Sequence, residues 1–298
     1  MKPLHLPALT ISALLPTLAL TGCTVHNHYY GTAKPAQPSI AASHETPGQT
    51  ILADQLAGIH TAIEVASTNL ANANTIGYKA RRATFIEGHP HPTVTIDWTT
   101  GSPQITDRPL DIYIEGNGFF RVEIDEDVGG GVAYTRRGNF FVNRDGEIVL
   151  GNANGPRLND GIHVSGDVVS ISVAPDGLVH TTHPDNSVSN IGQIMLYTFV
   201  APDGLESHGN GLFIETDASG PSHRNEPGWG QCGKLAQGMI ENSNVNVIST
   251  WVELKKLGYW ADAIAEEIGL SESQRYTLAA PADAITPDQS DILLSHDH

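Results

Sequence analysis

The chain has 298 residues with 40% apolar content, enough to bury one large core or two modest ones. Its formal net charge of −17 argues against nucleic acid, whose phosphates need clustered Lys and Arg, and equally against electrostatic docking on anionic lipid. With 30 Gly, 18 Pro and only 6% aromatic residues, the composition suits a turn-rich β-protein.

Lys2 precedes an apolar run from Ala8 to Leu20, with Pro7 and Pro16 breaking it up, which ends in Leu20-Thr-Gly-Cys23. This is the layout of a secretory signal peptide, and its tail resembles the bacterial lipobox, cut before a Cys whose thiol becomes lipidated. The reading predicts a signal peptide over 1–22 and membrane attachment through a lipid on Cys23. The run is shorter than the ~20 residues a transmembrane helix needs. If Cys23 is acylated, Cys232 has no disulfide partner. Thr24 lacks the Asp that in some bacteria retains lipoproteins at the inner membrane, which favours the outer one. Residues 23–48 are rich in Pro, Ala, Ser, Gln and His, the composition of a flexible tether.

The next region, 49–85, carries apolar residues at Leu52, Leu56, Ile59, Ile63, Ala66, Leu70 and Ala73. Steps of four and three make a heptad seam for packing on another helix. An Asn-rich end, Asn69-Leu-Ala-Asn-Ala-Asn-Thr-Ile-Gly-Tyr-Lys79, stops this helix. Asn tolerates the left-handed conformation, and Gly77 is the natural residue beyond a helix end.

Residues 86–232 alternate short apolar runs with turns, which predicts a central all-β domain. Asp111–Glu115 and Gly118–Ile124 alternate in and out, and Gly129-Gly-Gly131 turns the chain. Asn139–Asn143 and Glu147–Leu150 flank Asp145-Gly146, a hairpin signal. Pro175-Asp-Gly177 and Pro202-Asp-Gly204 are further turns, and Val168–Val173 and Ile194–Val200 have strand length and β-branched content. From Gly238 the helical period is expected to return at Ile240, Asn244, Val247, Trp251, Leu254, Gly258, Ala261, Ala265 and Ile268. This C-terminal region, 233–270, is the expected partner of the first helix, with Asn244 fixing register on the seam. Residues 271–298 turn polar and read as a disordered tail. The fold class is thus mainly β with α: a central β-domain whose N- and C-terminal helices pack together as a coiled coil.

Several motifs resemble the bacterial flagellar rod and hook proteins. Asn69–Lys79, continued by Arg81, Arg82 and Phe85, is similar to that family's N-terminal motif. Arg108-Pro-Leu-Asp-Ile-Tyr-Ile-Glu-Gly-Asn-Gly-Phe-Phe120 and Ala133-Tyr-Thr-Arg-Arg-Gly-Asn-Phe140 resemble its central motifs. Gly192–Leu196, Gly211–Ile214 and Gly233-Lys-Leu-Ala-Gln-Gly-Met-Ile-Glu-Asn-Ser-Asn-Val245 complete the order, over roughly residues 50 to 255. The size of the middle and Thr216-Asp-Ala-Ser-Gly220 bring it nearest to the distal rod proteins. The resemblance implies a structural subunit of the flagellar basal body in the periplasm, with no enzymatic activity and no cofactor. Its implied partners are further copies of itself, other rod and hook subunits, and the surrounding ring proteins. The residues so assigned to subunit assembly are Leu56, Ile59, Ile63, Asn69, Leu70, Asn72, Asn74, Gly77, Tyr78 and Lys79 from the N-terminal side. From the C-terminal side they are Gln237, Gly238, Glu241, Ser243, Asn244, Val245, Val247, Trp251 and Leu254.

Two departures stand out. Rod subunits begin close to the first helix and leave through the export channel uncleaved, whereas this chain opens with a lipoprotein-type signal. Where the family's last helix carries Gln-Arg-Ala-Tyr-Glu, this chain has Gly258-Tyr-Trp-Ala-Asp262. An envelope-anchored rod-like paralogue, acting as a binding or scaffold module, is therefore the alternative; a cell-wall-binding module and a secreted hydrolase are further ones. The hydrolase finds no support in motifs, since Gly-x-Ser-x-Gly and a Gly-x-x-x-x-Gly-Lys loop are both absent. His26 with His28, His89 with His91, and His296 with His298 lack the three or four converging ligands of a zinc site. Asp125-Glu-Asp127 lacks the ligand alternation of a calcium loop and reads as a charged hairpin tip.

Overall fold

The computed structural model describes residues 47–270; the stretches expected to be a signal peptide and a tether, Cys23 between them, and the expected tail from Ser271 lie outside them. Helix α1 spans Pro47–Ala71, so it starts inside the stretch expected to be tether. Proline is tolerated at a first helical position, where its missing N–H is not needed. Helix α2 spans Val247–Glu267, and Asn246 caps it, with its side-chain oxygen accepting the Ser249 N–H at 3.0 Å.

The two helices pack on each other. Leu56, Ile59, Ala62, Ile63 and Ala66 of α1 form one buried cluster with Leu254, Leu257, Ala261 and Ala265 of α2. Each Leu or Ile buried this way contributes about 1.5–3 kcal/mol. The expected seam on α1 is present from Leu56 to Ala66, while Leu52 and Leu70 are half-buried and Ala73 lies beyond the helix end.

The seam on α2 starts later than its spacing suggested. Gln237 and Gly238 do not open a helix, because Gly238 adopts a left-handed φ of 76° between two strands. Lys234–Gln237 pairs with Ile112–Glu115, and Met239–Glu241 pairs with Pro103–Ile105, both antiparallel. Ile240 is thus a buried strand residue and Asn244 lies in a loop before the helix. Their four-residue spacing matched a helix by coincidence.

The asparagines do not end α1 by turning left-handed either; among the described residues only Asp107, Asn186 and Asn210 have positive φ without being Gly. The Asn72 side-chain amide donates to the Thr68 carbonyl at 2.8 Å, and its oxygen accepts from the Thr75 hydroxyl at 3.0 Å. These bonds cap the last turn through side chains. Gly77 is the left-handed residue, with φ 64°.

The β-structure runs from Arg81 to Glu241, further than expected at both ends. A hairpin of Arg81–Thr84 with Thr93–Ile96 follows the turns that end α1. A four-stranded sheet orders Glu206–Gly209, Leu212–Ile214, Val132–Thr135 and Phe120–Glu123. The Asp145-Gly146 hairpin joins Phe140–Val142 to Ile148–Leu150, and Pro175-Asp-Gly177 joins Ser170–Val173 to Leu178–Thr182.

Successive strand residues face opposite sides, so neighbours feed two separate cores. Phe120, Ala133 and Leu196 enter the larger core with Ile112, Phe140, Ile148 and Val179. Phe119, Tyr134 and Tyr197 enter a smaller aromatic one with Phe213 and Leu205. The strand Ile112–Glu115 was expected to alternate, but Ile112, Tyr113 and Ile114 are all buried. Both of its faces are covered.

Candidate functional site

The ends of the two helices meet the β-structure at one charged joint. On the N-terminal side, Asn69 is buried in the last turn of α1. Its side-chain oxygen accepts the Arg81 N–H at 2.9 Å and the Tyr78 hydroxyl at 3.2 Å, and its amide donates to the Arg81 carbonyl at 2.6 Å. One side chain thereby pairs with the backbone as a strand would, welding helix to hairpin.

Gly77 brings the turn against the far end of the chain, its N–H donating to the Glu241 carbonyl at 2.7 Å. A Cβ on Gly77 would lie 2.7 Å from the Arg137 nitrogen and 2.8 Å from the Arg136 carbonyl carbon. Both its φ and its surroundings therefore require Gly.

Three charges lie inside this contact. Lys79 Nζ sits 2.5 Å from Glu241 Oε1, and the side chains of both are only 1% exposed. Arg136 Nε sits 2.7 Å from Glu241 Oε2. Glu241 Oε1 also accepts the Gly101 N–H at 2.9 Å. Lys79 donates to the Thr99 carbonyl at 2.6 Å. Arg136 donates to the carbonyls of Gly116, Gly118 and Ile114 at 2.9, 2.6 and 3.0 Å. Burial pushes the Lys79 ammonium below its ordinary pKa, with the pull of Glu241 opposing.

Asn244 completes the joint. Its amide donates to the carbonyls of Asp97 and Thr99 at 2.7 and 2.9 Å, and its oxygen accepts the Ala80 N–H at 2.7 Å. Its role is to bridge loops and not to set a helical register.

The structure therefore gathers Asn69, Gly77, Tyr78, Lys79, Glu241 and Asn244 in one place, and Leu56, Ile59, Ile63 and Leu254 in the helix seam. Gln237 joins neither. Its amide donates to the carbonyls of Pro109 and Ile171 at 2.6 and 2.9 Å. Asn74 and Val247 are exposed, and Ser243, Val245 and Trp251 are half-buried. Arg136 received no role from sequence reasoning, although it lies inside a quoted motif. Its contact with Glu241 spans 105 residues, so no local pattern signals it.

Beside the joint opens a cleft of about 760 Å³, lined by Lys79, Arg136, Trp98 and Phe119 among others. Among the described residues no group of three or more His, Cys, Asp or Glu is placed to hold a metal ion. No helix among them is long and apolar enough to cross a membrane.

The family model of the flagellar hook protein FlgE/F/G D1 domain matches residues 113–181. The chain is similar to the flagellar basal-body rod protein FlgG of Bacillus subtilis (strain 168), 33% identical over 223 residues, covering 65% of this chain and 83% of that one. It is likewise similar to FlgG of Caulobacter vibrioides, at 33% identity over 63% of this chain and 80% of the relative. To the basal-body rod protein FlgF of Escherichia coli (strain K12) it is 28% identical, over 64% of this chain and 80% of that relative.

Proposed function

The chain belongs to the bacterial flagellar rod and hook protein family and is a structural subunit of the basal-body rod; on that premise we propose how it assembles. The paired helices α1 and α2 join those of neighbouring copies in a coiled coil, and the β-domain faces outward. The rod so built transmits rotation across the periplasm, and the subunit works through contacts and not catalysis. Other rod and hook subunits and the surrounding ring proteins are its partners.

One observation carries this reading: α2 is apolar on two sides. One side packs on α1, while Ile248 and Tyr259 on the other stay 74% and 73% exposed, with Val252 between them. Spaced by four and seven residues, these three share one stripe. A stripe of this kind left in water suits burial by a second copy. In this reading Lys79, Glu241, Asn69 and Asn244 serve assembly indirectly, by fixing the helix pair on the β-domain.

The test is a deletion strain and its complementation by a tagged copy. We expect basal bodies without the chain to lack a complete rod, and the tag to appear as density in the axle. Ile248→Asp should leave the purified chain folded but fail to restore the rod. Full rods in the deletion strain would refute the proposal.

A second reading rests on Leu20-Thr-Gly-Cys23, which lies outside the described residues. It makes the chain an envelope-anchored rod-like lipoprotein. Labelling cells with a clickable fatty acid decides it: equal label in wild type and Cys23→Ala rules the anchor out.

A further inference from the structure

The cleft beside the joint has an unusual lining for this chain. The sequence holds 33 acidic residues against 16 basic ones, yet among the described residues no Asp or Glu lines this cleft. Its charged lining residues are Lys79, Arg136 and Arg224, with His223 beside them. Lys79 and Arg136 are buried against the carboxylate of Glu241, with Asp97 as a further negative charge near Lys79, so the exposed positive charge of the cleft is that of Arg224. Arg224 and His223 are exposed at the mouth. Of the aromatic lining residues, Trp98 donates its indole N–H to Asp203 at 2.9 Å, and its ring meets Phe119 edge-on at 5.3 Å. A walled, cationic cleft in a strongly acidic protein selects an anionic, carboxylate-bearing guest.

The same protomer carries such a group at the far end of the same hairpin. Phe120–Glu123 pairs with Val132–Thr135, with Phe120 opposite Thr135 and Glu123 opposite Val132. Phe119 and Arg136, at the open end, line the cleft. Asp125, Glu126 and Asp127, at the closed end, are all exposed. The turn is shaped by Gly129, Gly130 and Gly131, which have φ of 56°, 66° and 83°. A Cβ on Gly129 would come 2.8 Å from the Ile214 side chain, so this position of the turn requires Gly. At about 3.3 Å per residue the tip and cleft of one hairpin lie some 15–20 Å apart. A tip therefore cannot enter its own cleft.

We propose that the Asp125–Asp127 tip of one copy inserts into the Lys79–Arg136–Arg224 cleft of the next. The contact joins two different patches, so it is head-to-tail, and copies related this way build an open filament unless the rotation closes. It rests on the rod-subunit reading and adds to it a polar contact outside the helix pair. The charges set register between copies, because a displaced tip would leave its three carboxylates against a surface of the same sign.

Cys232 is a half-buried free thiol lining the cleft, and it provides the test. Glu126→Cys would be expressed in flagellated cells and treated with a short bis-maleimide crosslinker. We expect a ladder of dimers and higher multimers, absent when Cys232→Ser is added. Val188→Cys, at a site exposed elsewhere on the β-domain, should give no ladder through Cys232. As a second readout, Arg224→Glu should reduce swimming, and reversing the tip in the same chain by Asp125→Lys, Glu126→Lys and Asp127→Lys should restore it. No Glu126→Cys ladder in cells that build complete rods would overturn the contact. A ladder formed instead by Asp291→Cys, in the tail, would also overturn it by making the tail the occupant. Neither result touches the rod reading, which falls only if rods form without the chain.

Discussion

The helix pair and the charged joint are both buried, yet they hold together by different physics. In the seam, Leu56, Ile59 and Ile63 meet Leu254 and Leu257 through non-directional burial of apolar surface. In the joint, two cations face one carboxylate with fixed hydrogen-bond geometry. A buried pair of this kind contributes little net stability when intact, because desolvation offsets attraction, but removing one partner costs a great deal. The seam supplies stability, and the joint supplies a unique orientation of the helices on the β-domain.

Mutations can break that contrast. Glu241→Gln leaves Lys79 and Arg136 buried without their carboxylate and should cost about 3–5 kcal/mol in urea unfolding. Lys79→Met leaves the Glu241–Arg136 pair intact and should cost clearly less. Equal losses would show that the excess positive charge does not matter. Leu254→Ala, at a position with 0% exposure, should cost about 2–5 kcal/mol by cavity formation, with no dependence on salt.

A third effect concerns Asp160, whose carboxyl is pushed up to about 6 by burial, although it accepts the Met195 N–H at 3.1 Å. The folded state then holds a proton that the unfolded chain, with the ordinary value of 3.8, has already released. Its contribution is therefore full in acid and lost as pH rises through that window. Relative to Asp160→Asn, the wild type should lose about 2–3 kcal/mol between pH ~4 and pH ~7, read by denaturant unfolding at each pH. Smallest, Asn246→Ala removes the cap of α2 and should cost about 1 kcal/mol, seen as faster amide exchange in its first turn.

Much of the architecture was legible because it is written in local periodicity. The α1 seam, the Asp145-Gly146 and Pro175-Asp-Gly177 hairpins and the central strands all follow from spacing and turn chemistry. The C-terminal motif was misread for a physical reason. Ile240, Asn244 and Val247 fit a helical spacing, but Gly238 is left-handed and its flanks pair with strands more than 100 residues earlier. The N-terminal hairpin Arg81–Thr84 went unseen because its strands are short and half exposed.

The residues of the joint could be named from the sequence, but the bonds between them could not. Lys79, Asn69, Glu241 and Asn244 stood out through motif resemblance, and the hydrogen bonds they make here join distant parts of one protomer. That Lys79 meets Glu241 across 162 residues is a property of the fold, which no window of sequence contains.

Hydrogen exchange tests most directly the claim that the joint makes helices and β-domain one unit. In the wild type, amides of α2 near Leu254 and of the strand Ile112–Glu115 should open with the same free energy. In Glu241→Gln the α2 amides should exchange much faster, while the central strands keep their protection. Uniform loss across both regions, or none in α2, would contradict the account.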